Sequence, residues 1–137
     1  FYPHGACMMI RKSVLEEIGL LYEGYFLYYE EYDFAERVRQ AGYKIYFQPN
    51  SYILHKESIS TGKNSPLKTY YMNRNRLLFL RRNVKGMTFF LAMIYFFLIS
   101  FPKNTLKYLF NKPHLSALYK GVFWNFNNYN IHKNQQV

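Results

Sequence analysis

The run Phe26-Leu27-Tyr28-Tyr29-Glu30-Glu31-Tyr32-Asp33-Phe34 sets three carboxylates within four positions among aromatic rings. Carboxylates this close repel one another, and rings strip water from them; both effects favour the protonated form and raise a carboxyl pKa. Such a group, held beside a hydroxyl nucleophile, suits a general base that accepts the hydroxyl proton as its oxygen attacks. Glu30, Glu31 and Asp33 also suit the first turn of a helix, where negative charge meets the positive end of the helix dipole. Sequence alone leaves both roles open.

Two further groups have side chains suited to ligands. His55 closes a strand-like run and precedes a stretch with Ser58, Ser60 and Thr61. A neutral imidazole at that place can be offered to a divalent ion, or it can be a structural residue. Arg74, Asn75 and Arg76 put two guanidinium forks beside an amide, either an anion-binding face for phosphate or a solvated helix face.

The elements that would carry these groups follow from pattern. Gly5–Ile10 reads as a strand, and Ser13 three residues before Glu16 has capping-box spacing for a short helix through Ile18, with Gly19 to end it. Leu20–Tyr29 reads as an aromatic loop entering a helix over Glu30–Ala41, closed by Gly42, with Phe34, Val38 and Ala41 on one face. Tyr43–Phe47 and Ser51–His55 read as a short strand pair, and the polar stretch Lys56–Pro66 as a surface loop. A helix over Leu67–Arg82 follows. Leu115, Leu118, Tyr119, Val122, Phe123 and Phe126 recur at helical spacing, which predicts an amphipathic helix before a frayed polar tail, Asn127–Val137.

Between these last helices, Met87–Phe101 is fifteen residues without a charge, flanked by Arg81, Arg82 and Lys85 and by Lys103 and Lys107. Fifteen helical residues reach about 22 Å, short of a hydrocarbon core of about 30 Å. An interfacial or re-entrant helix therefore fits better than a straight span, with cationic flanks on lipid phosphates. A buried core helix is the other reading.

Charge divides the 137-residue chain sharply. Residues 1–57 carry six basic and eight acidic side chains, a net of −2, while residues 58–137 carry twelve basic and no acidic ones, a net of +12. The second part calls for an anionic partner, lipid or nucleic acid. The charge-free stretch suits lipid better than a solvated phosphate groove, so no nucleic acid is expected. The single cysteine, Cys7, excludes an internal disulfide framework, and no zinc-ligand spacing is present. Phe1-Tyr2-Pro3 reads as the interior of a longer protein.

Seven pieces stand in a recognisable order: Gly5-Ala6-Cys7-Met8-Met9-Ile10-Arg11-Lys12; Gly19-Leu20-Leu21-Tyr22-Glu23; Phe26 to Asp33; Arg37 with Ala41-Gly42-Tyr43; His55; Ser60-Thr61-Gly62; and Arg74-Asn75-Arg76. In that order they resemble the C-terminal half of family 2 glycosyltransferases, the rhamnosyltransferase-like bacterial branch, over about residues 5–83. The resemblance implies an α/β architecture, the acceptor-side part of a GT-A fold, over residues 1–83. Beyond it come membrane-associating helices over 84–126 and a polar tail over 127–137.

The resemblance also implies a nucleotide-sugar donor, inverting sugar transfer to a glycan or lipid-linked acceptor, and a place on the cytoplasmic face of the bacterial inner membrane, against membrane lipids. The family's base maps onto the pair Glu30-Glu31, with Glu31 the preferred residue and Glu30 the alternative, and Asp33 is a third acidic candidate. Its metal histidine maps onto His55, for Mg2+ or Mn2+, and Gly5, Tyr29, Arg74 and Arg76 map onto substrate-binding positions. The chain departs from the family pattern at Tyr22, where an Asp is usual. It also lacks the nucleotide-binding half with its Asp-x-Asp metal ligands, so these residues alone are expected to be inactive. The rival readings are a basic nucleic-acid-binding module and a membrane-peripheral scaffold without catalysis.

Overall fold

Phe34 and Val38, one helical turn apart, point the same way from one helix, and in the computed structural model, which describes residues 2–55, 62 and 64–128, both are buried. They form a small core with Val14, edged by Met8, Ile10, Leu15, Ile18, Leu21, Tyr43 and Ile45. This core belongs to the first of two units, residues 1–57; residues 58–137 make the second. The charge boundary in the sequence falls at the same place.

The first unit is built on α1 (Lys12–Ile18) and α2 (Glu30–Gln40). Arg11, not Ser13, stands at the start of α1, and no side chain caps it. The expected Ser13–Glu16 capping box does not form, because Ser13 already lies inside the helix. Gly19 and Gly42 end the two helices with φ of 79° and 83°, a left-handed conformation that glycine adopts at little cost.

The expected α/β architecture is corrected here: the described residues hold helices and turns and no strand. Gly5–Ile10, Tyr43–Phe47 and Ser51–His55 form no strand. Met8, Ile10, Tyr43 and Ile45 edge the core while Met9 and Lys44 lie outside. A strand further requires a backbone partner about 4.8 Å away. Residues 7–11 and 42–46 instead line a shared groove of about 530 Å³. The stretch Lys56–Pro66 lies mostly outside the described residues, as does the tail from residue 129.

In the second unit, α3 (Pro66–Asn83) starts at Ser65, whose hydroxyl accepts from the Lys68 N–H at 3.1 Å, with Pro66 at the first helical position. It packs along α6 (Lys112–Asn127), where Leu118 and Val122 join Leu77 and Phe96 in a second core. The two helices approach most closely at Gly121: a Cβ there would stand 2.6 Å from the Tyr70 carbonyl oxygen and 3.3 Å from the Arg74 nitrogen. One turn on, Asn125 is buried and donates to the carbonyls of Arg74 (3.0 Å) and Gly121 (3.1 Å). Arg81 donates to both the backbone and side-chain oxygens of Asn125, each at 2.8 Å.

Between α3 and α6 runs a continuous 22-residue helix, Gly86–Lys107, made of α4 (Gly86–Tyr95), a π-helical turn (Phe96–Ser100) and α5 (Phe101–Lys107). The apolar element is thus longer than its fifteen charge-free residues suggested. Twenty-two residues span about 33 Å, and the helix is long and apolar enough to cross a membrane. The π turn has a local cause. In an α-helix the ring of Pro102 would clash with the carbonyl four residues back, and a wider turn just before it relieves that clash. Phe96, Met93, Phe97 and Phe101 pack on the core, whereas Met87, Phe90, Leu91, Ile94, Leu98 and Ile99 are exposed.

The close approach at Gly121 sets a test. Gly121→Ala places a methyl against backbone that cannot rotate away, so the unit should lose about 1–3 kcal/mol, the usual cost of overpacking. Thermal unfolding in detergent reads this directly, and an unchanged midpoint would show that α3 and α6 do not approach as described.

Candidate functional site

The acidic pair is held by a strained loop. Phe26, Tyr28 and Tyr29 have φ of 61°, 63° and 76°, in the left-handed region that aromatic residues avoid. Each such residue costs of order 1–3 kcal/mol and persists only where surroundings dictate it, which is why such strain gathers at functional sites. What dictates it here is Tyr25, fully buried at the end of a 3₁₀ turn, Glu23–Tyr25. Its hydroxyl donates to Asp33 at 3.0 Å. Tyr22, at the position where the family pattern has an acid, sets its ring edge-on to Tyr25 and against Gly24, whose missing side chain leaves room for it.

Asp33 is buried, and Arg37 donates to its second oxygen at 3.0 Å. The other two nitrogens of Arg37 bind the Ile18 carbonyl at 2.6 Å and the Leu20 carbonyl at 2.7 Å. One guanidinium therefore ties the end of α1, the loop and α2 together. Removing one partner of such a buried pair costs about 3–5 kcal/mol, because the other charge is left without compensation. Both carboxylate oxygens of Asp33 are occupied in this way, which makes it the strut beneath the acidic pair. The sequence placed it beside Glu30 and Glu31 as a candidate catalytic acid. The i,i+4 spacing of Asp33 and Arg37 was the signal for its actual partner.

Glu30 and Glu31 open α2. Glu30 is partly buried, and its Oε2 is enclosed with no hydrogen-bond partner among the described residues. Burial pushes its carboxyl above the usual range, its own backbone N–H pulls the other way, and the neighbouring Glu31 charge adds to the rise. Tyr32 lies behind them: its ring stacks 4.0 Å from Tyr2 and 5.4 Å from Tyr29. Burial, then its contact with Tyr2, holds the Tyr32 hydroxyl well above the ordinary tyrosine value, so it stays protonated. The result is a carboxylate pair at a helix start, walled by tyrosines, with one oxygen lacking a donor among the described residues.

The other sequence-derived positions fall apart in space. Gly5 is exposed in a turn where a side chain would meet nothing. His55 is exposed at the end of its run, with the ring of His4 5.5 Å away. His4 accepts the Ala6 N–H on Nδ1 at 3.2 Å. His55 is one accessible imidazole, and no three His, Cys, Asp or Glu side chains come together among the described residues.

Arg74 and Arg76 belong to the second unit and differ from each other. Arg74 is buried, with its guanidinium 3.9 Å over Trp124 and 5.5 Å over Tyr71, and serves the α3–α6 contact. Arg76 is partly exposed and lies at the π turn.

Comparison with known proteins gives a consistent class. The chain is 38% identical over 78 residues to a low-salt glycan biosynthesis hexosyltransferase of Haloferax volcanii, a match covering 56% of this chain and 25% of that protein. It is 29% identical over 82 residues to the N-acetylglucosaminyl-diphospho-decaprenol L-rhamnosyltransferase of Mycobacterium tuberculosis, covering 60% of this chain and 27% of that one. The chain spans about a quarter of the length of these curated relatives. No protein-family profile and no solved structure matches it. Its partial relatives are glycosyltransferases, one of them a rhamnosyltransferase.

Glu30 offers a pH test. A carboxyl with a folded pKa above its usual 4.5 binds its proton more tightly folded than unfolded, so its contribution to stability is present at low pH and lost as pH rises through the folded value. Glu30→Gln cannot titrate. Relative to that variant, the native protein should lose thermal stability as pH climbs from about 4.5 toward neutrality; a constant difference would show that Glu30 is not desolvated.

Proposed function

We propose that this chain is part of a family 2-type, rhamnosyltransferase-like glycosyltransferase that moves a sugar from a nucleotide-sugar donor to a hydroxyl of a glycan or lipid-linked acceptor. The observation that carries the reading is the tyrosine-walled acidic pair on a strained loop, in a chain whose partial relatives are named as sugar transferases.

In this mechanism the Glu31 carboxylate takes the proton of the acceptor hydroxyl as that oxygen bonds to the anomeric carbon. The bond from that carbon to the nucleotide diphosphate breaks on the opposite side, and the diphosphate leaves with the electron pair, so configuration inverts. Glu30, partly buried, stands beside it at the helix start, while Tyr29 and Tyr32 exclude water. Asp33 and Arg37 fix the loop that aims the pair. A divalent cation, Mg2+ or Mn2+, with His55 as one ligand, supplies charge stabilisation to the departing diphosphate when bound.

The exposed apolar face of Gly86–Lys107 would meet lipid acyl chains, and Arg82, Lys85, Lys103 and Lys107 lipid phosphates, at the cytoplasmic face of a bacterial inner membrane. The mycobacterial relative's name specifies a decaprenol-linked acceptor, which supports a lipid-linked acceptor here.

Steady-state kinetics of the full-length protein test the base. Glu31→Gln should lower kcat by about 10²–10⁴ with a smaller change in KM, the range for a lost general base. Native turnover in that variant would remove Glu31 from the mechanism, and the same loss appearing only in Glu30→Gln would move the role one residue back.

A further inference from the structure

The second unit holds an arginine whose place the proposed chemistry leaves unexplained. Arg76 donates to the Ser100 hydroxyl at 2.9 Å, and its guanidinium carbon sits 5.4 Å from the Phe96 ring and 5.9 Å from the Tyr95 ring. These three partners all belong to the Tyr95–Ser100 stretch, the π turn and the residue before it. Ser100 is buried, while Tyr95 and Ile99 are about half exposed, so the guanidinium lies under the rim of an open apolar surface.

Its charge has no counter-ion in its own unit, for a reason visible in the sequence: residues 58–137 contain no Asp or Glu. The other inward arginines of α3 solve this problem internally. Arg74 lies against the Trp124 and Tyr71 rings, and Arg81 grips two oxygens of Asn125. Among the described residues Arg76 makes one hydrogen bond, to a neutral hydroxyl, which leaves the rest of its fork available. Planar guanidinium forks match phosphate oxygens, and a half-desolvated cation strengthens such a bond. π turns recur at functional sites, and this one places the Ser100 hydroxyl where it orients the fork.

We propose that Arg76, oriented by Ser100 and flanked by Tyr95, is a receptor for the phosphate of a phosphorylated lipid whose chain lies on the exposed face of Gly86–Lys107. The apolar surface around the cation selects a lipid-borne phosphate over a soluble one, because the chain is buried as the phosphate is bound. The inference deepens the proposed function by assigning the phosphate end of a lipid-linked acceptor to named residues, and it rests on that reading for the membrane setting alone.

The test uses the full-length protein in phosphatidylcholine vesicles doped with farnesyl diphosphate or with farnesol, and inorganic pyrophosphate in solution. Farnesyl diphosphate should bind at least about tenfold more tightly than farnesol, the scale of one charge-assisted hydrogen-bond pair, and at least about tenfold more tightly than pyrophosphate, the scale of about two buried methylenes. Arg76→Lys keeps the charge and loses the fork, and Ser100→Ala removes the orienting hydroxyl. Each should weaken farnesyl diphosphate binding while thermal unfolding confirms the fold, and Lys120→Gln, which removes a charge elsewhere in the unit, should not match the loss. Equal binding of farnesol, equal binding of pyrophosphate, or native binding by a folded Arg76→Lys protein would each overturn the proposal. Sugar transfer by the native protein, measured separately, shows whether such a failure reaches the catalytic reading: transfer that persists confines it to Arg76.

Discussion

The first unit depends on one buried charge. Asp33 cannot remain ionised out of water without partners, and Tyr25 and Arg37 satisfy its two oxygens. Because Arg37 also binds the carbonyls of Ile18 and Leu20, the cost of burying that charge is offset by ordering three segments at once. With Tyr25 fixed from below and α2 fixed behind, the residues between them have few ways to connect, and Phe26, Tyr28 and Tyr29 take up left-handed backbone. Glu30 and Glu31 follow directly on that loop, partly buried in the first turn of α2. Their position is thus a consequence of an interaction in which neither takes part.

The second unit solves a different electrostatic problem. It buries or half-buries Arg74, Arg76 and Arg81 without a carboxylate of its own, using ring faces, backbone carbonyls and a hydroxyl. Neutral partners hold a cation in place yet leave its charge unneutralised. Together with the exposed apolar helix, this gives a surface that is greasy and positively charged at once. An anionic lipid surface satisfies both properties, whereas a solvated nucleic acid satisfies only the second.

Much of the helical content was legible from sequence. The Phe34–Val38 spacing gave α2, Pro66 after Ser65 fits the observed start of α3, and the Leu118–Val122 stripe gave α6. The change in charge at Glu57 marked the boundary between the units without any packing argument. The strands were misread because a short β-rich run between turn residues says nothing of whether a backbone partner is present. The length of Gly86–Lys107 was underread because counting stopped at Phe101, before Pro102 and Lys103, although a lysine near a helix end can extend its amine into water. At the candidate site, residue types identified the acidic pair, but Asp33 was grouped with it. Only the fold shows that Asp33 faces inward to Tyr25 and Arg37.

The account joins a base-bearing acidic pair to a membrane-facing unit in the service of sugar transfer. Its most direct test is transfer of labelled sugar from a panel of nucleotide-sugar donors to a prenyl-diphosphate-linked saccharide, comparing the native full-length protein with a doubly substituted Glu30→Gln, Glu31→Gln protein of confirmed fold. The account predicts transfer from at least one donor by the native protein and none above background by the double variant. Undiminished transfer by the double variant, or no transfer by the native protein from any donor, would contradict it.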